Sequence, residues 1–160
     1  MHSFRDTQNR TWQLVLNIGA AMRVRDALAV DLLMLEMENL SRRIMVDDLL
    51  TAQIVGAIIR PALDDAGVSL DAFYGALEGA ALAEARKALV AELKDFFRGG
   101  GRSDRVTLLE VEEELTAAYW AQAEKAYRQD AAAKTSGGLF GTPPAASEST
   151  PGPSPTESST

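Results

Sequence analysis

Few residues in this chain of 160 are of a type and spacing that does chemistry. The single histidine, His2, lies beside the N-terminus, and the chain has no cysteine. No Ser-His-Asp or Cys-His arrangement can be assembled around it, and it lacks the histidine or cysteine companions that a zinc site needs. Carboxylates occur as neighbours at Asp47-Asp48 and Asp64-Asp65 and in the run Glu112-Glu113-Glu114. Paired acids can hold a divalent cation or divide acid and base roles. Successive residues of a helix, however, point about 100° apart, so these acids do not converge and read as solvated helix ends or faces. Gly99-Gly100-Gly101-Arg102 lacks the preceding strand and the following Lys-Ser/Thr of a phosphate-binding loop. A nucleic-acid reader would have to rest on Arg42-Arg43 or on Arg23 and Arg25, and no predicted helix carries a dense basic face. The expectation is a helical binding domain with no catalytic residue, no metal and no cofactor.

The elements that would carry a binding surface follow from periodicity. Ser3–Arg5 and Thr11–Leu16 read as a β-hairpin around Asp6-Thr7-Gln8-Asn9, with Trp12, Leu14 and Leu16 on one face. A lone hairpin is marginal in water, so that face should pack on the helical part of the chain. Asn17 is a plausible N-cap for a helix whose repeat is Ile18, Ala21, Met22, Val24, Arg25 and Leu28. A second helix is expected over Leu32–Arg42. A third starts near Asp47 and Asp48, carries Leu49, Leu50, Ile54, Ala57 and Ile58, and ends or kinks at Pro61. Gly67 should stop one helix and Ser69 cap the next, Leu70–Leu77, with Phe73 and Leu77 on one side. After Gly79, Ala80–Phe97 carries Leu82, Ala85, Leu89, Leu93 and Phe96 at helical spacing. Gly99-Gly100-Gly101 reads as a flexible joint. The last helix runs from about Ser103 to Ala132, with Thr107 and Glu110 as an alternative capping box. Its acids lie early and Lys125 and Arg128 late, as the helix dipole favours. Leu108, Val111, Leu115 and Ala118 form one apolar line, and Leu109, Trp120, Ala123 and Tyr127 a neighbouring one, with Tyr119 between. Two readings stand: the helix folds back and completes the core, or Tyr119, Trp120 and Tyr127 face a partner.

Hydrophobic residues are 46%, charged residues 24%, and the formal net charge is -7, a globular composition whose sign disfavours phosphate backbones. The N-terminal residues show no apolar run of a signal peptide, and no stretch approaches the roughly 20 apolar residues that span a bilayer. A cytoplasmic protein is expected, without membrane or nucleic-acid contact. From Thr135 to Thr160, 20 of the 26 positions are Ser, Thr, Pro or Gly, a composition too polar to offset its ordering entropy. Gly138-Leu139-Phe140-Gly141 within it has the look of a short docking string. The organisation expected is mainly α with a small N-terminal β-hairpin (α+β): a hairpin plus helical domain over 1–98, a glycine joint over 99–102, a C-terminal helix over 103–133, and a disordered Ser/Pro/Thr-rich tail over 134–160.

The order of certain strings adds a resemblance. Phe4-Arg5-Asp6-Thr7-Gln8-Asn9-Arg10-Thr11-Trp12 with Leu14 and Leu16 is followed by Arg23-Val24-Arg25-Asp26-Ala27-Leu28-Ala29-Val30-Asp31-Leu32-Leu33. Arg60-Pro61-Ala62, Gly67-Val68-Ser69, Phe73, Ala76-Leu77, Gly79, Ala88-Leu89, Glu92-Leu93 and Asp95-Phe96-Phe97 come after. Over residues 3–98 this resembles the tail assembly chaperones of long-tailed, siphovirus-like bacteriophages. Ala29 stands where that family leads one to expect glycine, and Leu35–Met45 matches poorly. The resemblance implies a non-catalytic protein of the host cytoplasm that binds the tape measure protein, keeps it soluble and helps tail tube protein assemble around it. Several copies along one long client, or a homo-oligomer, fit that role. A structural tail or connector component is the rival reading, and a small nucleic-acid-binding regulator a more distant one.

Overall fold

One carboxylate builds the N-terminal turn. Asp6 is buried, and its Oδ1 accepts hydrogen bonds from the backbone N–H groups of Gln8 and Arg10, both at 2.9 Å. Its Oδ2 accepts from Arg10 Nε at 2.7 Å and Trp12 Nε1 at 2.9 Å. These bonds, with Asn9 in the left-handed region at φ 61°, join strands β1 (His2–Arg5) and β2 (Thr11–Leu14). The pair is antiparallel, with Phe4 opposite Trp12 and both rings buried. The computed structural model describes residues 1–136, and the chain divides into two units, 1–122 and 123–160.

Helix α1 (Ile18–Leu28) starts where Asn17 accepts the Ala20 N–H at 2.8 Å and ends on Ala29, left-handed at φ 55°. Its buried face is Ala20, Ala21 and Val24, set against α3, whereas Ile18 and Met22 of the expected apolar repeat are exposed. Small residues let the two backbones approach, and that rotates the larger side chains outward. The helix expected over Leu32–Arg42 is not there. Asp31 takes the Leu33 N–H on its side chain at 2.9 Å and the Met34 N–H on its carbonyl at 3.0 Å. Leu32 and Leu35 anchor this run of turns in the core. A 3-10 turn (Met37–Asn39) follows, in which Glu38 and Asn39 have positive φ, and only then does α2 (Leu40–Val46) begin. Local side-chain bonds from Asp31 compete with the helix there.

Helix α3 (Asp48–Ile58) is the centre of the first unit. Asp47 caps it by accepting the Leu50 N–H, and Leu50, Thr51, Ile54, Val55, Gly56 and Ile58 are buried among α1, α2, α5 and α6. Its only strongly exposed leucine is Leu49. The helix breaks at Ile59, and Pro61 sits in the first turn of α4 (Arg60–Asp65), where its missing N–H costs nothing. Gly67, at φ 65°, reverses the chain, and Ser69 caps α5, which ends at Tyr74 rather than Leu77. Phe73 is fully buried and meets Trp12 edge-on at 5.9 Å and Phe4 at 6.4 Å. Helix α6 (Ala80–Gly99) buries Ala85, Ala88, Leu89, Leu93 and Phe97, with β1 lying along it. Its Glu92 faces inward and accepts the N–H groups of His2 at 3.1 Å and Leu16 at 3.0 Å.

The glycines after α6 form a bonded turn. Gly100, Gly101 and Arg102 donate to the carbonyls of Phe96, Arg98 and Phe97 at 3.1, 3.2 and 2.8 Å. Helix α7 runs Ser103–Ser136, and its residues up to Gln122 belong to the first unit. The described part of the second unit, 123–136, is helical, with Glu124–Arg128 and Asp130–Lys134 ion pairs. The expected tail, including Gly138-Leu139-Phe140-Gly141, lies outside the described residues.

Candidate partner-binding surface

The start of α7 is held firmly. Arg105, Val106 and Leu109 are buried, with the Arg105 guanidinium over the Phe97 ring at 5.5 Å and its Nη2 3.3 Å from Glu36. Lys94 of α6 pairs with Glu113. Beyond Leu109 the character changes: no side chain from Glu110 to Thr135 is fully buried.

Between α2 and α7 lies a groove of about 540 Å³ lined by Arg42 and Val46 on one wall and Glu112, Leu115, Thr116, Tyr119 and Trp120 on the other. Spacings of three, four and seven put Glu112, Leu115, Thr116 and Tyr119 on one stripe of the helix. Tyr119 and Trp120 meet edge to face at 5.2 Å, yet they are 59% and 54% exposed. Of the two readings of this helix, folding back into the core describes Arg105–Leu109, whereas Tyr119 and Trp120 stay open to solvent. Tyr127 belongs to the second unit and is 74% exposed there. Arg42 and Val46 complete the groove, and nothing in the linear pattern pairs α2 with α7. The groove also holds two uncompensated charges, since neither Arg42 nor Glu112 makes an ion pair or a side-chain hydrogen bond among the described residues.

Several other charged groups are engaged in the fold. His2, beside the N-terminus, is held: its Nε2 is 2.8 Å from Asp95 Oδ2. The hydrogen bond to the His2 ring holds the Asp95 carboxyl below its ordinary range, helped by the charges of His2 and Arg98. Asp48 pairs with Arg86, and Asp64 with Arg60 at 3.0 Å. For Asp6, burial pushes the carboxyl up, and the bonds from Trp12 and Arg10 outweigh it, so the group sits below the usual carboxylate value. A second hollow, about 420 Å³ and lined by Arg23, Arg60, Gly56 and Tyr74 among others, has its cations spent. Arg23 donates to the α3 carbonyls of Ala57 and Ile58 at 3.3 and 2.9 Å. Among the described residues no three His, Asp or Glu side chains gather as a metal site, and no helix is long and apolar enough to cross a membrane.

Asp6, Glu92 and Arg105 are buried charged supports of the fold whose burial pattern reasoning passed over. For the last two a signal exists: Glu92 lies three residues from Leu89 and seven from Ala85, and Arg105 four from Leu109, so each sits on its helix's apolar stripe. Comparison of the chain with family models, with curated proteins and with solved structures finds no match.

Proposed function

We propose that this chain is a tail assembly chaperone of a long-tailed bacteriophage, a non-catalytic protein that receives apolar helical stretches of the tape measure protein in the α2–α7 groove. The observation that carries the reading is that groove: an apolar floor with two half-exposed aromatic rings, on a helix whose start is locked into the core. A long helical client exposes apolar stripes until tube subunits cover it, and such patches aggregate. A client helix can lay its apolar edge between Val46, Leu115, Tyr119 and Trp120. The exposed halves of the two rings hold about 200 Å², which at about 25 cal/mol per Å² is a gross gain of about 5 kcal/mol before the costs of association. Glu110, Glu112 and Glu114, without ion-pair partners among the described residues, and the net charge of -7 keep the loaded complex soluble. Many copies on one client gain from local concentration. The resemblance of residues 3–98 gives the client its name. Ala29 departs from the glycine expected in that family, at a left-handed helix end where glycine is favoured.

The test is co-expression with the product of the next long downstream reading frame, followed by affinity capture and sizing. A long helical protein that is soluble and co-elutes only with this chain supports the reading. The triple variant Tyr119→Ser, Trp120→Ser, Tyr127→Ser should release the client with the hairpin domain still folded; retained binding would move the contact elsewhere. A client soluble alone, with this chain found in purified virions, would favour a structural tail component.

A further inference from the structure

We infer that the groove selects client helices by charge: it takes an amphipathic helix whose apolar stripe has an acidic residue on one flank, facing Arg42, and a basic residue on the other, facing Glu112. The inference deepens the client reading and rests on it. The apolar floor cannot discriminate on its own. Val46, Leu115, Tyr119 and Trp120 offer a gain close in size to the costs of association, and one apolar stripe fits them about as well as another. What distinguishes one helix from the next lies at the edges. Arg42 is exposed on the α2 wall and Glu112 half-buried on the α7 wall, and neither meets an opposite charge among the described residues. Their sequence neighbours are satisfied within the fold, Arg43 by Glu38 and Glu113 by Lys94. The two charges left open are thus the two that line the groove. Leu115 and Tyr119 are one turn apart on α7, and Arg42 and Val46 one turn apart on α2, the spacing that an entering helix repeats along its own ridge. Opposite signs on opposite walls also give the groove a direction. Turning a bound helix end for end exchanges its flanks, so a helix with unlike flanks satisfies both walls one way round and opposes both the other way. Charges of this kind set orientation and specificity more than they add affinity.

The test uses stapled helical peptides of about 15 residues, because unconstrained helices of that length are marginal in water. All share one leucine stripe and differ only in its flanks: Glu on one side and Lys on the other, Lys on both, or Glu on both. Each is titrated into the full chain at about 0.1 M salt, where a Debye length of about 10 Å mutes the net charge of the chain. The indole N–H shift of Trp120 reads occupancy by NMR, and that of buried Trp12 serves as the control. The parent should bind the mixed-flank peptide about 5-fold tighter than either single-sign peptide. Arg42→Glu makes both walls acidic and should move the preference to the peptide with Lys on both flanks. Glu112→Arg makes both walls basic and should move it to the peptide with Glu on both. The double variant Arg42→Glu/Glu112→Arg should return it to the mixed peptide. Neither position is fully buried, and unchanged helicity verifies that the variants fold. Equal affinity for all three peptides, or a preference that ignores the reversals, overturns the inference and leaves an apolar client groove in place. If no peptide moves the Trp120 signal, charge selection falls as well, and client capture by co-expression decides the client reading separately.

Discussion

Replacing Asp6 with asparagine keeps the shape of the hairpin turn and removes half of its acceptors. One asparagine oxygen can serve the Gln8 and Arg10 N–H groups, both at 2.9 Å. The amide NH2 then points at Arg10 Nε and Trp12 Nε1, which now reach a carboxylate oxygen at 2.7 and 2.9 Å, so donors face donors. Hydrogen bonds to a charged partner contribute about 1.5–3 kcal/mol each. The Arg10 side chain is 27% exposed and can turn to water, whereas Trp12 Nε1 is buried and cannot. The expected loss is about 2–4 kcal/mol, a large part of the roughly 5–15 kcal/mol of an ordinary domain. Urea unfolding followed by fluorescence reads it directly in a Trp120→Phe background, which leaves Trp12 as the reporter. Acid supplies a second arm. Because the Asp6 carboxyl is held below its ordinary value of 3.8, the charged form stabilises the fold above that value and the contribution fades as pH drops below it. The variant should therefore lose less stability than the parent on acidification in that window. A loss under about 1 kcal/mol, or an unchanged acid slope, would refute the account of the turn.

Two further substitutions probe other supports. Ala29→Gly should raise Tm by about 2–5 °C, because a left-handed alanine costs about 1–2 kcal/mol and glycine's extra unfolded freedom returns only about 0.4–1 of it; a lower Tm in calorimetry would contradict this. Glu92→Ala leaves the buried Leu16 N–H without an acceptor and should cost about 2–5 kcal/mol. Hydrogen exchange should show the Leu16 amide losing protection while α3 keeps its own, and unchanged protection at Leu16 would show that Glu92 does not hold the strand.

The features legible in the chain are those that short-range rules control. The hairpin depends on contacts within about a dozen residues, and Asn17, Asp47 and Ser69 as caps, the break at Pro61 and the reversal at Gly67 on contacts within about five. The helix expected over Leu32–Arg42 failed because Leu32 and Leu35 have apolar spacing that fits either a helix or a turn pinned into a core, and Asp31 decided for the turn. Ile18 and Met22 were assigned inward because periodicity finds a stripe and not its centre; close packing on α3 chose the alanines. Half of the candidate groove was legible, since Tyr119 and Trp120 stand out on α7. Arg42 and Val46 were not, because no local rule says which helix will lie beside another. Tyr127 lies in the second unit, so its exposure alone bears on the reading.

The Glu92 contacts also set an order of events during synthesis. They join positions 90 and 76 residues apart, so the hairpin leaves the ribosome long before the helix that receives it. At about 5–20 residues per second the interval is about 4–18 s. Through that time Phe4, Trp12 and Leu14 have no α6 to lie on, and a two-stranded hairpin is not stable alone. The nascent chain thus carries an uncovered apolar segment until residue 92 emerges, and the docking of β1 on α6 closes a loop of 90 residues. A protein of this design covers late an apolar segment that it makes early.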